Sequence, residues 1–141
     1  MGKNKKWTGG KVQKSARKKL IEKLDKVFSL YIRQRNAENG IVRCFTCGML
    51  FNWQLTDCGH FVSRKKIPTR WEEKNCAVQC KSCNIFSEGN KYIFGKKLNE
   101  KYGEGTAERL IIKSNNISKI TEFELGLLIK EFEQKLKLLK K

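Results

Sequence analysis

The sequence predicts a single-domain protein of the α+β class, with helices at both ends and a small β-containing centre. Apolar residues recur at helical spacing before residue 40 and after residue 90, whereas the stretch between them shows short alternating runs and turn residues. A chain of 141 residues is also close to the usual size of one domain. We therefore expect a disordered basic arm at 1–14 and one folded domain at 15–141, divided into segments 15–40, 41–90 and 91–141.

The charge balance indicates a polyanionic partner, most often nucleic acid. The chain has 31 Lys+Arg against 14 Asp+Glu, a formal net charge of +17. A membrane surface is the rival partner, but no apolar run approaches the roughly 20 residues of a spanning helix, and the first residues lack the apolar segment of a signal peptide. Six cysteines in such a chain are typical of metal ligands and reduced thiols. We expect a cytoplasmic protein that binds no membrane.

The segments before the cysteine-rich centre predict an unstructured arm and then a helix. The arm is rich in Lys and Gly, and its candidate DNA-binding residues are Lys3, Lys5 and Lys6. Ser15 is a candidate N-cap for a helix that runs to about Asn36. One apolar stripe along this helix comprises Leu20, Leu24, Val27, Phe28 and Tyr31. The stripe indicates core packing, and Asn39 and Gly40 then turn the chain.

Two CxxC pairs predict a structural Zn²⁺ site. The ligands are Cys44, Cys47, Cys80 and Cys83. The CxxC spacing places two thiolates on one tight turn, and two such pairs supply the tetrahedral sulfur set that zinc prefers. The remaining cysteines, Cys58 and Cys76, are interpreted as small buried thiols, although the sequence leaves open that one of them replaces a ligand.

The insert between the pairs contains His60, the one histidine of the chain. Alternating Phe51, Trp53 and Leu55 predict a strand over 49–56 that delivers Asp57 and His60 at its end, where Gly59 allows a close approach. A return strand is then expected to begin at Phe61 and Val62.

A basic loop follows, with candidate DNA-binding residues Arg64, Lys65, Lys66 and Arg70. Arg64 and Arg70 are candidate phosphate clamps because a guanidinium group is a bidentate donor, whereas the two lysines fit solvated loop charge nearly as well. Trp71 fits either a core anchor over the zinc, which we favour, or a stacking platform for DNA.

The last part of the chain is predicted to be helical. Cys80 and Cys83 should begin a helix that carries Asn84, and later helices should end at Gly103 and include Leu110. Thr121 and Glu124 form a capping box before a long amphipathic helix. That helix either packs on the first helix or forms a homodimer seam, and its repeat is too short to decide.

The order of these parts resembles the HNH, or ββα-metal, nucleases. A histidine follows an alternating stretch, an asparagine comes further on, and another asparagine follows the last CxxC pair. The resemblance implies that His60 is a general base, that Asn75 orients it through a hydrogen bond, and that Asn84 binds a catalytic Mg²⁺ or Mn²⁺ ion. Many members have a metal-binding Asp where this chain has Gly59, so Asp57 is the nearest candidate for the second ligand.

A wider resemblance is to the phage NinG (Rap) recombination endonuclease family. It covers roughly residues 18–112 and includes the segments LDKVFSLYIRQR, VRCFTCG, DCGHFVSR, RWEEKNCAVQCKSCN and SEGN. The CxxCN segment also resembles that of phage T4 recombination endonuclease VII. The resemblance implies a zinc-clipped ββα-metal nuclease centre flanked by helices, hydrolysis of branched DNA such as Holliday junctions, and action alongside phage recombination proteins.

A zinc module that binds nucleic acid without cutting it is the alternative. The basic residues and the four cysteines fit both functions, and only His60, Asn75 and Asn84 favour the enzyme. An enzyme requires the side chains of His60 and Asn84 to face one cavity.

Overall fold

The computed structural model describes residues 14–140, in which helices surround two small antiparallel sheets. The helices are α1 (Ala16–Gln34), α2 (Ile67–Arg70), α3 (Lys91–Tyr102), α4 (Thr106–Ser114) and α5 (Glu122–Leu139). The strands are β1 (Ile41–Arg43), β2 (Leu50–Asn52), β3 (Asp57–His60) and β4 (Cys76–Gln79). This mixed architecture confirms the α+β class. The predicted disorder of the arm and its contacts through Lys3, Lys5 and Lys6 lie outside the described residues.

The two long helices, α1 and α5, pack side by side and form the main apolar core. Ser15 caps α1 by accepting a hydrogen bond from the backbone N–H of Lys18 at 3.2 Å, and the capping box of Thr121 and Glu124 begins α5. Between the helices, the ring of Phe28 meets that of Phe132 edge-on, with centroids 4.9 Å apart. The last helix therefore packs on the first, as one of the two sequence alternatives predicts, and a homodimer stays a prediction.

The sheets are two-stranded, and β3 pairs with a strand that the sequence does not predict. β1 pairs with β2, and β3 pairs with β4 so that His60 lies opposite Cys76. The predicted return strand at Phe61 and Val62 is wrong. Phe61 makes one more hydrogen bond, from its N–H to the carbonyl of Asn75 at 2.8 Å, and its ring then stacks on Phe94 in a second apolar cluster.

The strand predicted over residues 49–56 is also shorter than expected. It ends at Asn52, whose side chain accepts a hydrogen bond from the N–H of Gln54 at 3.0 Å and caps a 3₁₀ turn, Trp53–Leu55. Asparagine favours such a cap because its side chain competes with the sheet for backbone donors. The alternation of apolar residues thus continues through a turn.

Gly59 is required by the packing of a side chain from the neighbouring strand. A Cβ atom at this position would lie 2.0 Å from Oε1 of Gln79. The buried Gln79 amide crosses over Gly59 and donates to Oγ1 of Thr46 at 3.1 Å and to the carbonyl of Gly89 at 2.9 Å. The close approach predicted at this glycine is therefore made by a glutamine that joins two loops.

Trp71 is a core residue, as the favoured interpretation predicts, but the core is that of α1 and α5 and not the zinc cluster. It is 8% exposed, and its indole N–H donates to Oδ1 of Asp25 at 2.9 Å. Arg70 donates to both oxygens of the same carboxylate, at 3.1 and 2.6 Å. Asp25 thus ties α1 to the end of α2. Among the described residues, no helix is both long and apolar enough to cross a membrane.

Replacement of Asp25 by alanine should destabilise the fold by about 2 kcal/mol, because it leaves the donors of Arg70 and Trp71 without their acceptor. Equilibrium denaturation of the metal-loaded protein measures the loss. The matched control is Glu22→Ala on the same helix, which removes an exposed ion pair with Lys14 and should cost less than about 1 kcal/mol. Equal losses for the two variants would contradict the assigned role of Asp25.

Candidate functional site

The four cysteines of the CxxC pairs converge at one point between the two sheets. Cys44 follows β1, and a tight turn with Gly48 at φ 79° brings Cys47 back towards it. Cys80 follows β4, and Cys83 lies in the next turn. One sulfur from each residue lies within 4.8 Å of all the others, and the Sγ atoms of Cys47 and Cys80 are 3.8 Å apart.

This geometry fits a tetrahedral zinc ion. A Zn–S bond of about 2.3 Å gives a sulfur–sulfur edge of about 3.8 Å in a regular tetrahedron, which matches the Cys47–Cys80 distance. Backbone N–H groups also point at the sulfurs, from Cys80 to Sγ of Cys44 at 3.3 Å and from Cys83 to Sγ of Cys80 at 3.4 Å. Such donors stabilise thiolates, so the cluster can bind zinc.

The pKa values of these thiols show how the cluster distributes negative charge. Burial acts to raise the pKa of Cys44, but hydrogen bonds from the backbone of Cys47 and Cys80 and from Thr46 outweigh it and lower the pKa to about 6. Burial raises the pKa of Cys47 to about 12, and the neighbouring Cys44 adds to that shift. The protein therefore favours the thiolate at Cys44 and the neutral thiol at Cys47, and binding of a dication would favour thiolates throughout the cluster.

A cavity of about 610 Å³ lies between α1, β3 and the turn that follows β4. His60, Asp57 and Asn84 all line it, together with Arg64 and Lys91. His60 and Asn84 thus line the same cavity. An enzyme requires this arrangement, and a module that only binds nucleic acid does not.

The imidazole of His60 is held by a backbone carbonyl. Its Nε2 lies 3.0 Å from the carbonyl oxygen of Arg70, and its ring centroid is 6.4 Å from that of Phe28. A carbonyl only accepts, so this contact assigns the proton to Nε2 and the lone pair to Nδ1. Burial lowers the pKa of His60, although the bond to Arg70 opposes the shift. The ring is therefore neutral at physiological pH, as a general base requires.

Asn75 supports His60 indirectly, and the predicted hydrogen bond between the two side chains is not formed. Its fully buried amide instead bonds the N–H and carbonyl of Val62, at 2.9 and 3.0 Å, and the carbonyl of Thr69 at 3.1 Å. These bonds fix the loop between β3 and β4. Arg70, which follows Thr69, then presents its carbonyl to the imidazole.

Asp57 and Asn84 meet at the edge of the cavity. The Asn84 amide nitrogen donates to Oδ2 of Asp57 at 3.1 Å, and the ammonium of Lys81 contacts Oδ1 at 2.8 Å. Asn84 lies not on an extended helix but in a single π-helical turn, Ser82–Phe86. A carboxylate and an amide oxygen are ligands that Mg²⁺ and Mn²⁺ accept, so this pair can contribute to a hard-cation site.

Some of the predicted DNA-binding side chains are exposed, whereas Arg70 is already bound within the protein. Arg64 lines the cavity and is exposed, as are Lys65 and Lys66 in the same loop. Arg70 does not provide the expected free clamp, because Asp25 binds its guanidinium and the side chain is only 14% exposed. Lys81 and Lys91 also lie at the site, although they are not among the predicted basic residues. Lys81 contacts Asp57, and Lys91 donates to the carbonyl of His60. The position of Lys81 inside the CxxCN segment, between the two cysteines, was the available signal for it.

Serine at Cys44, Cys47, Cys80 or Cys83 should release zinc and unfold the protein. In small domains a structural zinc site contributes on the order of 10 kcal/mol of binding free energy that is also folding free energy. Metal analysis and thermal unfolding by circular dichroism measure both effects. Cys58→Ser is the control, since Cys58 lies outside this cluster and the variant should keep one tightly bound zinc. Folded wild-type protein that contains no zinc would contradict the assignment.

The chain is similar in sequence to one protein family and to several phage proteins. A family model described as "Bacteriophage Lambda NinG protein" matches residues 3–141. The chain is 28% identical over 118 residues to protein ninG of Escherichia phage lambda, a match that covers 83% of this chain and 55% of the relative. Protein ninG of Escherichia phage 933W and of Salmonella phage P22 match with the same identity and 56% of their length.

The chain spans just over half the length of these curated relatives. No solved structure matches the chain at a significant level. The family model, however, extends over nearly all of the sequence, from the basic arm through the cysteine pairs and the histidine to the last helix. The chain therefore belongs to the NinG family.

Proposed function

We propose that this protein is a divalent-metal-dependent DNA endonuclease that uses His60 as its general base. The observation that carries the proposal is that a neutral, oriented imidazole shares one cavity with a carboxylate–amide pair suited to a hard cation. The order of the parts supports it as well. His60 ends the first strand of a β-hairpin, and Asn84 lies in the helical turn after the second, an arrangement similar to the ββα-metal centre that the sequence resemblance implies.

His60 would accept a proton from a water molecule that attacks the phosphodiester. The Arg70 carbonyl holds the protonated Nε2, so Nδ1 is the nitrogen that would accept the proton. Asp57 and Asn84 would bind Mg²⁺ or Mn²⁺, whose charge stabilises the phosphate oxygens and the leaving 3′-oxygen. For Asn84 to bind through oxygen, its amide must turn and release Oδ2 of Asp57, and Lys81 must yield its place beside Oδ1.

The proposed substrate is branched DNA, such as a Holliday junction. The net charge of +17 supports binding to a polyanion, and the exposed Arg64, Lys65, Lys66 and Lys81 are near the two ends of β3, where the cavity lies. Phosphate contacts position a protein without reading sequence, so shape is the property that remains to select a substrate. The branch preference itself rests on the resemblance to recombination endonucleases, as does action beside phage recombination proteins.

Replacement of His60 by alanine should lower the cleavage rate by ~10²–10⁴ with little change in DNA affinity, since a general base acts in the transition state. Single-turnover cleavage and equilibrium binding, measured on the same DNA with Mn²⁺, separate the two effects. Because burial lowers the pKa of His60, the wild-type rate should fall only when the pH drops below the ordinary histidine range, and should be constant above it.

The metal site is tested by two further variants, Asp57→Ala and Asn84→Ala. Unlike His60→Ala, they should raise the Mn²⁺ or Mg²⁺ concentration that half-maximal cleavage requires. Lys130→Ala is the control, because Lys130 is exposed on α5 and does not line the cavity. A fully active His60→Ala protein would overturn the assignment of the base. A wild-type protein that binds DNA but never cuts it would instead support the non-catalytic zinc module.

Cleavage of a four-way junction should exceed that of a linear duplex of matched sequence. Affinity should fall steeply with salt, with a log–log slope of roughly −0.9 per neutralised phosphate, whereas the selectivity should persist because it depends on geometry. Competition among a junction, a flap and a linear duplex at two salt concentrations measures both. If all three are cut equally at both salts, the protein is a general DNase and the recombination role is excluded.

A further inference from the structure

A second cluster of soft metal ligands surrounds His60. Cys58 and His60 are two residues apart on β3 and therefore share one face of the hairpin, and Cys76 lies directly opposite His60 on β4. One ligand atom from each of these three residues lies within 4.8 Å of the other two. None of the three belongs to the four-cysteine cluster.

We propose that Cys58, His60 and Cys76 form a second Zn²⁺ site. Two thiolates and one imidazole are the donor set of a three-ligand zinc site with one open position, and they select zinc over Mg²⁺. Cys58 and His60 line the cavity of about 610 Å³, so a water molecule can reach that fourth position. The site is thus open to solvent on the side where DNA would bind.

Charge balance permits an ion at this depth. Cys76 is 1% exposed and packs in the α1–α5 core, where an isolated charge would be costly. A zinc ion with two thiolates and a neutral imidazole has no net charge, so the complete site avoids this cost. The carbonyl of Arg70, 3.0 Å from Nε2 of His60, can accept the ring N–H and hold the imidazole while its other nitrogen binds the ion.

Occupation of this site would inhibit the nuclease, a consequence that rests on the proposed function. A neutral imidazole has one lone pair. Whichever nitrogen of His60 binds zinc, the other must carry the proton, so no lone pair remains to accept a proton from water. Zinc binding by His60 and general-base catalysis by His60 are therefore mutually exclusive, and removal of zinc restores the base.

The site can be tested without reference to activity by counting zinc per chain. The reduced 141-residue chain is titrated with Zn²⁺ and examined by native mass spectrometry, beside Cys58→Ala and Cys76→Ala. Wild type should hold two zinc ions per chain, the second more weakly, and each variant should hold one. Co²⁺ gives a second readout, because thiolate-to-metal absorption should grow in two steps for wild type and in one step for either variant.

The two substituted cysteines lie on different strands, Cys58 on β3 and Cys76 on β4. A variant that keeps the zinc of the four-cysteine cluster and unfolds cooperatively is folded. A wild-type protein that takes up one zinc at excess overturns the proposal. A second zinc that persists in both variants also overturns it. A Cys58–Cys76 disulfide that persists after treatment with reductant, seen as the loss of two titratable thiols, would overturn it as well.

A second measurement addresses inhibition. Zn²⁺ at the concentration that fills the second site should lower Mg²⁺-supported cleavage by wild type by at least ~10², the usual effect of losing a general base. The cleavage rate of each variant with Zn²⁺ is compared with the rate of the same variant in zinc-free buffer. The two rates should differ by less than twofold. If the wild-type protein cuts no DNA, the zinc count still decides the site and only the proposed nuclease function fails. Equal inhibition of wild type and variants contradicts inhibition through this site.

Discussion

The convergence of four cysteine sulfurs is the constraint on which the β-containing centre depends. That centre consists of two separate two-stranded sheets, and such pairs are marginally stable in water on their own. The apolar surface nearby is small, since Phe51 is the partly buried side chain that packs on the buried Cys44, Cys80 and Cys83. Metal–sulfur bonds would compensate for that deficit by joining the end of β1 to the end of β4. The position of Asn84, directly after Cys83, follows from the same link.

Two buried amides extend this support to the cavity. Gln79 joins the loop of the first CxxC pair to the turn after the second, and Asn75 fixes both sides of the loop between β3 and β4. Each amide lies where an aliphatic side chain would leave backbone groups without partners, which is costly in a buried site. His60 is therefore oriented by groups that solvent does not reach, although the imidazole itself borders an open cavity.

Local signals account for what the sequence predicts well. The starts of α1 and α5 follow from caps within a few residues, and the CxxC pairs predict a metal cluster because each pair is a local chelate. Local signals do not predict that β3 pairs with β4, because a loop that contains α2 separates the two strands along the chain. The roles of Asp25 and Asn75 depend on that loop as well, since their partners are brought to them only by its folded path.

The cluster of Cys58, His60 and Cys76 shows the limit of spacing as a signal. The two-residue interval between Cys58 and His60 indicates one face of a strand only once that strand is known, and Cys76 joins them only through strand pairing. By spacing alone, both cysteines fit buried thiols or substitute ligands of the first cluster, whereas the strand register places them beside His60.

β3 therefore brings hard and soft ligands to adjacent positions. Asp57, with Asn84, offers oxygen to a hard cation, whereas Cys58, with Cys76, offers sulfur beside the same histidine. Oxygen ligands suit Mg²⁺ and Mn²⁺, and thiolates suit Zn²⁺, so the two sets differ in the ion that they select. His60 stands at the boundary between them, with one lone pair to give either to a proton or to zinc. The identity of the ion in the cavity would thus determine whether this histidine acts as a base or as a ligand.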